Sequence, residues 1–370
     1  MTHADPADAP EGTPLRHGWT TGACATAATT AALSALLGRE VPDPVTITLP
    51  RDRRPAFALA THDTGADGRG PWASAGVVKD AGDDPDVTHG ALVHATVRWG
   101  PPDASGPGVT FRAGPGVGTV TKPGLPLAVG EAAINPVPRR LMTEHVRALT
   151  DAAVEIEVGV EDGAEIARHT WNPRLGIVGG LSILGTTGVV VPYSCAAWID
   201  SIRRGVDVAR AAGHRHVGAA TGSTSEETVA ALYGLPLDAM LDMGDFAGAV
   251  LKYLRRHPVD RLTLGGGIGK LTKLAQGHLD LHSRRSQVDF AALAALVADA
   301  GGADALVERV RSANTALDAL RVCDAAALPL GELVAARSRE QALRTLEGAP
   351  VAVDVVVIDR AGTVVGRAGP

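Results

Sequence analysis

The chain has 370 residues, 45% hydrophobic and 21% charged, with a formal net charge of −6. That is chain enough for two ordinary domains, and it excludes general disorder, a fibrous repeat and a protein built around the nucleic-acid backbone. Aromatics make up 3% against 44 glycines and 24 prolines, so a flat ligand has to be gripped by its edges and charges, with few rings to stack on.

In chain order, residues 1–14 ("MTHADPADAPEGTP") read as a mobile acidic tail without a signal-peptide pattern. Residues 22–37 read as a helix, capped by Thr20 or Thr21, carrying Leu33, Leu36 and Leu37 on an apolar face and stopped by Gly38. Alternation predicts strands over 43–50, 56–62 and 91–99, a helix over 135–150 with prolines confined to its start, and a strand and turn over 152–163. Mixed, non-alternating order makes residues 15–190 an α+β domain.

From about residue 191 the order becomes regular: helix 197–212, strand 215–221, helix 225–233, strand 239–245, helix 246–256, strand 260–267, helix 269–276. Repeated strand, loop and helix predict a parallel sheet with helices on its faces, so residues 191–370 read as an α/β domain. Alanine-rich helical stretches over 288–321, broken at Gly301 and Gly302, and over 330–347 precede a buried strand and hairpin over 351–366. No run of about 18 apolar residues occurs, so no membrane span is expected.

Five stretches could carry chemistry. "TTGACATAA" (20–28) opens the first helix with small side chains around Cys24, which is either a low-pKa nucleophile or a packing residue. "KDAGDDPDVTHG" (79–90) crowds four aspartates and His89 into one loop; its spacing matches no calcium loop and no metal site is assigned, so the choice lies between turn-forming aspartates and a proton acceptor, Asp84 or His89. "GPGVGTVTKPG" (114–124) exposes backbone beside Lys122, and Asn135, Arg139 and Arg140 stand at a helix start as carboxylate-recognition groups or as a cap and surface charge. "ATGSTSEE" (220–227) holds two capping-box spacings, Ser223 with Glu226 and Thr224 with Glu227. "LTLGGGIGKLTK" (262–273) matches neither a nucleotide-triphosphate loop nor the full dinucleotide fingerprint, yet it sits between a strand and a helix, where anions and nucleosides bind. The three cysteines, Cys24, Cys195 and Cys323, match no metal spacing and leave one over from any disulfide, which points to a reducing cytoplasm.

Together, "LRHGWTTGACATAA", "KDAGDDPDVTHG", "GPGVGTVTKPGLPLAVGEAAINPVPRR", "TWNPRLGIVGGLSILGTTGVVVP" and "GGGIGKLTKLAQGHLDLHSRRSQVD" resemble, in this order and spacing, the cobalt-precorrin-5B C1-methyltransferase family of CbiD type. The likeness covers residues 15–360 and implies an α+β N-terminal two-layer domain followed by an α/β Rossmann-like C-terminal domain. It implies transfer of a methyl group from S-adenosylmethionine to C-1 of a cobalt corrinoid in the anaerobic route to cobalamin, giving cobalt-precorrin-6A, with cobalt present only as part of the substrate. It implies neither nucleic acid nor membrane as partner, and is compatible with a homo-oligomer and with transient contact to neighbouring pathway enzymes. On that basis Thr20, Thr21, Gly22, Lys122, Asn135 and Arg139 are expected to hold the many carboxylates of the corrinoid, with free N–H groups of the first helix reaching an acetate or propionate. His89 or Asp84 is the expected base. Gly222, Ser223, Gly265, Gly266, Gly267, Gly269 and Lys270 are expected to hold the methyl donor. Two other readings compete: a nicotinamide-dependent oxidoreductase using the same crevice, which lacks an acidic residue convincingly ending the second strand, and a non-enzymatic corrinoid carrier.

Overall fold

A computed structural model describes residues 14–100 and 108–369; the expected acidic tail lies, but for its last residue, outside the described residues. The chain divides into two compact units between Cys195 and Ala196.

In the first unit the elements run β1 (Gly18–Trp19), α1 (Thr21–Leu36), β2 (Val45–Thr46), β3 (Ala56–Phe57), β4 (Thr61–Asp67), β5 (Gly70–Val78), β6 (Leu92–Trp99) and β7 (Val109–Ala113). Then come β8 (Thr119–Val120), α2 (Pro136–Arg147), β9 (Val154–Val160), α3 (Gly163–Ala167), β10 (Ile177–Val178) and β11 (Val189–Val190). A five-stranded sheet in the order β4-β5-β6-β9-β7 is antiparallel except for the parallel β7/β9 pair. Alternate residues of its strands, among them Ala73, Ala75, Val93, Ala95, Ile156 and Val158, form one core with Ala23, Ala27, Ala28, Ala31 and Leu33 of α1 and Leu141 and Met142 of α2. Small side chains on both the helix and the sheet let the two layers come close, which explains the residue choice in α1 without any ligand.

Two local expectations are corrected. The strand expected over 43–50 shrinks to two residues because its later N–H groups bond elsewhere: Ile47 to the Pro55 carbonyl, Thr48 to His145 Nε2 and Leu49 to the Arg53 carbonyl. The unexpected β5, "GPWASAGVV", packs against α1, and its alternation was hidden because its inward residues include alanines.

The second unit contains α4 (Cys195–Ala211), β12 (His216–Ala220), α5 (Ser223–Tyr233), β13 (Met240–Asp242), α6 (Ala247–Leu254), β14 (Arg261–Gly267) and α7 (Ile268–Ala275). Four further helices follow, α8 (Phe290–Asp299), α9 (Asp304–Arg311), α10 (Ala316–Ala325) and α11 (Leu330–Leu346), then β15 (Ala352–Ile358) and β16 (Val364–Ala368). The sheet order is β13-β12-β14-β15-β16, with the first four strands parallel and β16 antiparallel at the edge. The chain leaves β12 for β13 on one side and then crosses to β14 on the other. The carboxyl ends of β12 and β14 thus mark the switch point of the strand order, where parallel sheets take ligands.

Candidate functional site

The first turn of α1 is closed by its own unit. Thr20 is the N-cap, its Oγ1 accepting from Ala23 N–H at 3.2 Å, and its own N–H donates to the Gly188 carbonyl at 3.0 Å. Gly22 N–H donates to the Leu184 carbonyl at 2.9 Å, and Thr21 Oγ1 accepts from Leu184 N–H at 3.0 Å. The expectation that Gly22 offers its N–H to a substrate carboxylate is thus overturned. Glycine is required there for another reason: a Cβ would lie 2.8 Å from both the Leu184 oxygen and Pro138 Cγ, where the first turn of α2 meets that of α1. Cys24 is fully buried, and burial pushes its thiol up to about 12, which removes it as a nucleophile.

The aspartate-rich loop is a set of satisfied pairs. Arg16 forks onto both oxygens of Asp80 and gives its backbone N–H to Asp83. The Arg16 hydrogen bonds, then the Gly82 N–H, hold Asp80 below the usual carboxylate range. Lys79, with a side chain 1% exposed, meets Asp86 Oδ2 at 2.6 Å. Burial alone would raise the Asp86 pKa, but the Lys79 charge and the bonds from Lys79 and Thr88 outweigh it, and the carboxyl is held low.

Both nominated bases of this loop have structural partners. Asp84 Oδ1 accepts from Tyr193 N–H at 2.7 Å. His89 Nδ1 accepts from Ala81 N–H at 3.1 Å, which places the ring proton on Nε2. His89 therefore presents a donor outward, contrary to the role of base expected of it.

Of the other expected substrate groups, Arg139 is spent within its own loop. It donates to the Ile134 carbonyl at 2.7 Å, Glu131 at 2.8 Å and the Ala132 carbonyl at 3.0 Å, and its guanidinium lies 5.5 Å from the Phe111 ring centre. This corrects its assignment to corrinoid recognition. Lys122 is half-buried, its stem covering Gly176, where a Cβ would come within 2.5 Å of it. Asn135 holds the N-cap position of α2 without a side-chain cap bond, and its N–H donates to Ile183 at 3.1 Å. Ile183 adjoins the Leu184 that binds Thr21 and Gly22, so the structure gathers Thr20, Thr21, Gly22 and Asn135 at the meeting of two helix starts.

In the second unit the strand-end crevice is built from β12, β14 and α7. Thr221 N–H donates to the Gly265 carbonyl at 3.0 Å, holding the two strand ends together. The capping boxes expected at Ser223 and Thr224 do not form: Gly222 is the N-cap of α5, without a side-chain cap, and Ser225 Oγ returns to its carbonyl at 2.8 Å. Gly265 and Gly266 are strand residues, and a Cβ on either would strike Val229 at 2.5 Å or Thr221 at 2.9 Å. They are packing glycines, which corrects their assignment to the donor. Around Gly222, Gly267 and Gly269 a Cβ would meet nothing within 4 Å. Lys270 Nζ donates to the Thr221 carbonyl at 2.9 Å and lies 3.0 Å from Asp245 Oδ1. Gly222, Gly267 and Gly269 therefore leave open backbone at these strand ends, with the Lys270–Asp245 pair beside them.

Several groups escaped the sequence reading. Asp245 and the buried Lys273 sit beside Lys270; Lys273 Nζ bonds the Leu281 carbonyl at 2.8 Å, and burial, only partly offset by Asp245, lowers its pKa. Asp242 ends β13 opposite Ala220, supplying the acidic end to the second strand that the sequence reading found wanting. The signal was present in "AMLDMGD", but two aspartates near a strand end cannot be ranked without the register. Among the described residues no group of three or more potential metal ligands forms, and no helix is long and apolar enough to cross a membrane.

Comparison with known proteins places these motifs. The family described as CbiD matches residues 8–192, and CbiD, C-terminal domain, matches residues 280–369. The cobalt-precorrin-5B C(1)-methyltransferase of Rhodospirillum rubrum is 61% identical over 362 residues, covering 98% of this chain and 99% of its own. The protein of the same name from Brucella anthropi is 59% identical over 358 residues, covering 95% of each chain. A crystal structure of a cobalamin biosynthesis protein (cbiD) from Archaeoglobus fulgidus aligns at 25% identity with a TM-score of 0.37, over 70% of this chain and 79% of that one. Near-full-length identity and two matching family segments lead to one conclusion: the chain belongs to the CbiD family.

Proposed function

We propose that this chain is a cobalt-precorrin-5B C1-methyltransferase that moves a methyl group from S-adenosylmethionine to C-1 of its cobalt-corrinoid substrate, giving cobalt-precorrin-6A in the anaerobic route to cobalamin. The observation that carries this is the 61% identity over 98% of the chain to a protein of that name; it favours neither the oxidoreductase nor the carrier. We read the second unit as Rossmann-like and its β12–β14 crevice as the seat of the methyl donor.

The residues there suit that guest. Gly222, Gly267 and Gly269 leave open space for a nucleoside against backbone, and Lys270, which bridges the Thr221 carbonyl and Asp245, has one ammonium N–H left for the donor's carboxylate. Methyl transfer from a sulfonium is an in-line displacement, for which alignment of donor and acceptor supplies about 7–11 kcal/mol of the barrier.

The test is an anaerobic incubation of the protein with the corrinoid and S-adenosylmethionine labelled in its methyl group, followed by mass spectrometry. One labelled methyl gained only when protein is present is the expected result. A folded protein that binds the corrinoid and transfers nothing would point to the carrier.

A further inference from the structure

The basic side chains of the first unit fall into two groups. Arg16, Lys79, Arg98, Arg112, Arg139 and Arg140 each meet a carboxylate of their own unit. Among the described residues of that unit, the Lys and Arg side chains left without a hydrogen bond, ion pair or ring contact are Arg51, Arg53 and Arg54. All three are exposed, and they share the turn "RDRR" between β2 and β3. Asp52 pairs with none of them, so the turn is net positive on a chain whose formal charge is −6.

The backbone that carries them is anchored. Leu49 N–H donates to the Arg53 carbonyl at 2.8 Å, and Ile47 N–H to the Pro55 carbonyl at 3.1 Å. Thr48 N–H donates to His145 Nε2 of α2 at 3.0 Å. The Leu49 side chain covers Gly188, where a Cβ would lie 2.6 Å from it, and the Gly188 carbonyl accepts Thr20 N–H at 3.0 Å. Within the turn, Arg51 and Asp52 both take the left-handed conformation, with φ of +66° and +54°, which glycine or asparagine adopts at lower cost. A strained, anchored turn that keeps arginines with no partner of their own is shaped for something outside the chain.

We propose that Arg51, Arg53 and Arg54 form a carboxylate-recognition site that grips the acidic edge of the corrinoid. Guanidiniums bond carboxylates through two parallel N–H groups and stay charged at any working pH. Three of them on one anchored turn suit a ligand with several carboxylates on its rim. This rests on the reading of the chain as an enzyme of a cobalt corrinoid, and it gives the edge-gripping role to groups the fold has not already spent, in place of Arg139.

The experiment is calorimetric titration of the full chain with dicyanocobyrinic acid, whose side chains end in carboxylates, and with dicyanocobinamide, in which they are amides. The wild type is expected to bind the acid about tenfold or more tightly at low salt, as for three exposed pairs together, with the preference shrinking as salt is added. The net charge of −6 acts the other way, so a preference for the acid needs a local cation site. Arg51→Gln, Arg53→Gln and Arg54→Gln combined are expected to abolish the preference and leave the affinity for the amide unchanged. Arg168→Gln, at an exposed arginine already paired with Glu165, is expected to keep it. Equal wild-type affinity for the two corrinoids overturns the proposal, and that arm needs no variant to fold. A triple variant of wild-type melting temperature that keeps the preference overturns it too. If neither corrinoid binds, the proposal falls, and the labelled-methyl assay shows whether the enzymatic reading falls with it.

Discussion

Along α1 the small residues are filled space: Ala23, Cys24, Ala27, Ala28 and Ala31 are all 0% exposed, and a Cβ on Gly22 would press on Leu184 and Pro138. At the carboxyl ends of β12 and β14 a similar-looking run divides in two. Gly265 and Gly266 are filled by Val229 and Thr221, while Gly222, Gly267 and Gly269 border open space. Small side chains in the first case let protein meet protein, and in the second case three of them leave backbone for something else to meet. Composition alone cannot separate the two, because both read as glycine and alanine beside a helix start.

The largest expected effect comes from the polar group packed beside α1. Lys79→Met leaves Asp86 charged without its partner and is expected to cost about 3 kcal/mol in chemical denaturation, at the low end for broken buried pairs because Asp86 keeps some exposure. The same pair sets an acid limit. Because Asp86 is depressed in the folded state, its contribution is whole above its ordinary value of 3.8 and is lost as pH falls from there through its lower folded value. Denaturation midpoints measured from pH 5 downward should show that loss in the wild type and not in Lys79→Met.

Next come the filled glycines. Gly22→Ala and Gly265→Val should each cost about 1–3 kcal/mol by overpacking, and a melting temperature equal to wild type for either would break the comparison. Gly269→Ala sharpens it from the other side: within the first turn of α7 and with open space around it, the change should shift stability by no more than about 1 kcal/mol, in the stabilising direction, while weakening S-adenosylhomocysteine. Cys24, its thiol raised to about 12, should resist iodoacetamide at pH 8 in the folded protein, and Cys24→Ala should keep turnover. The smallest effect is expected at Thr29, whose buried Oγ1 has no hydrogen-bond partner among the described residues; Thr29→Val should leave stability unchanged or raise it slightly.

How much of this was legible in the sequence depended on whether the cause was local. Helix α1 with its Thr20 cap and Gly38 stop, and the strand–helix alternation after residue 195, follow from neighbours in the chain and were readable there. Arg139 was not, since a guanidinium at a helix start looks alike whether it faces a ligand or turns back onto Glu131 and the Ile134 carbonyl. His89 was misread for the same reason: the Ala81 N–H that occupies its Nδ1 depends on the path of the loop. Asp242 emerged only when the strand register set it opposite Ala220.

The most direct test of the central claim is hydrogen exchange on the full chain with and without S-adenosylhomocysteine. Protection is expected at residues 221–225, 242–245 and 267–270, with residues 265 and 266 already slow in the free protein. Protection confined to the first unit, around residues 20–22 and 79–90, would contradict it.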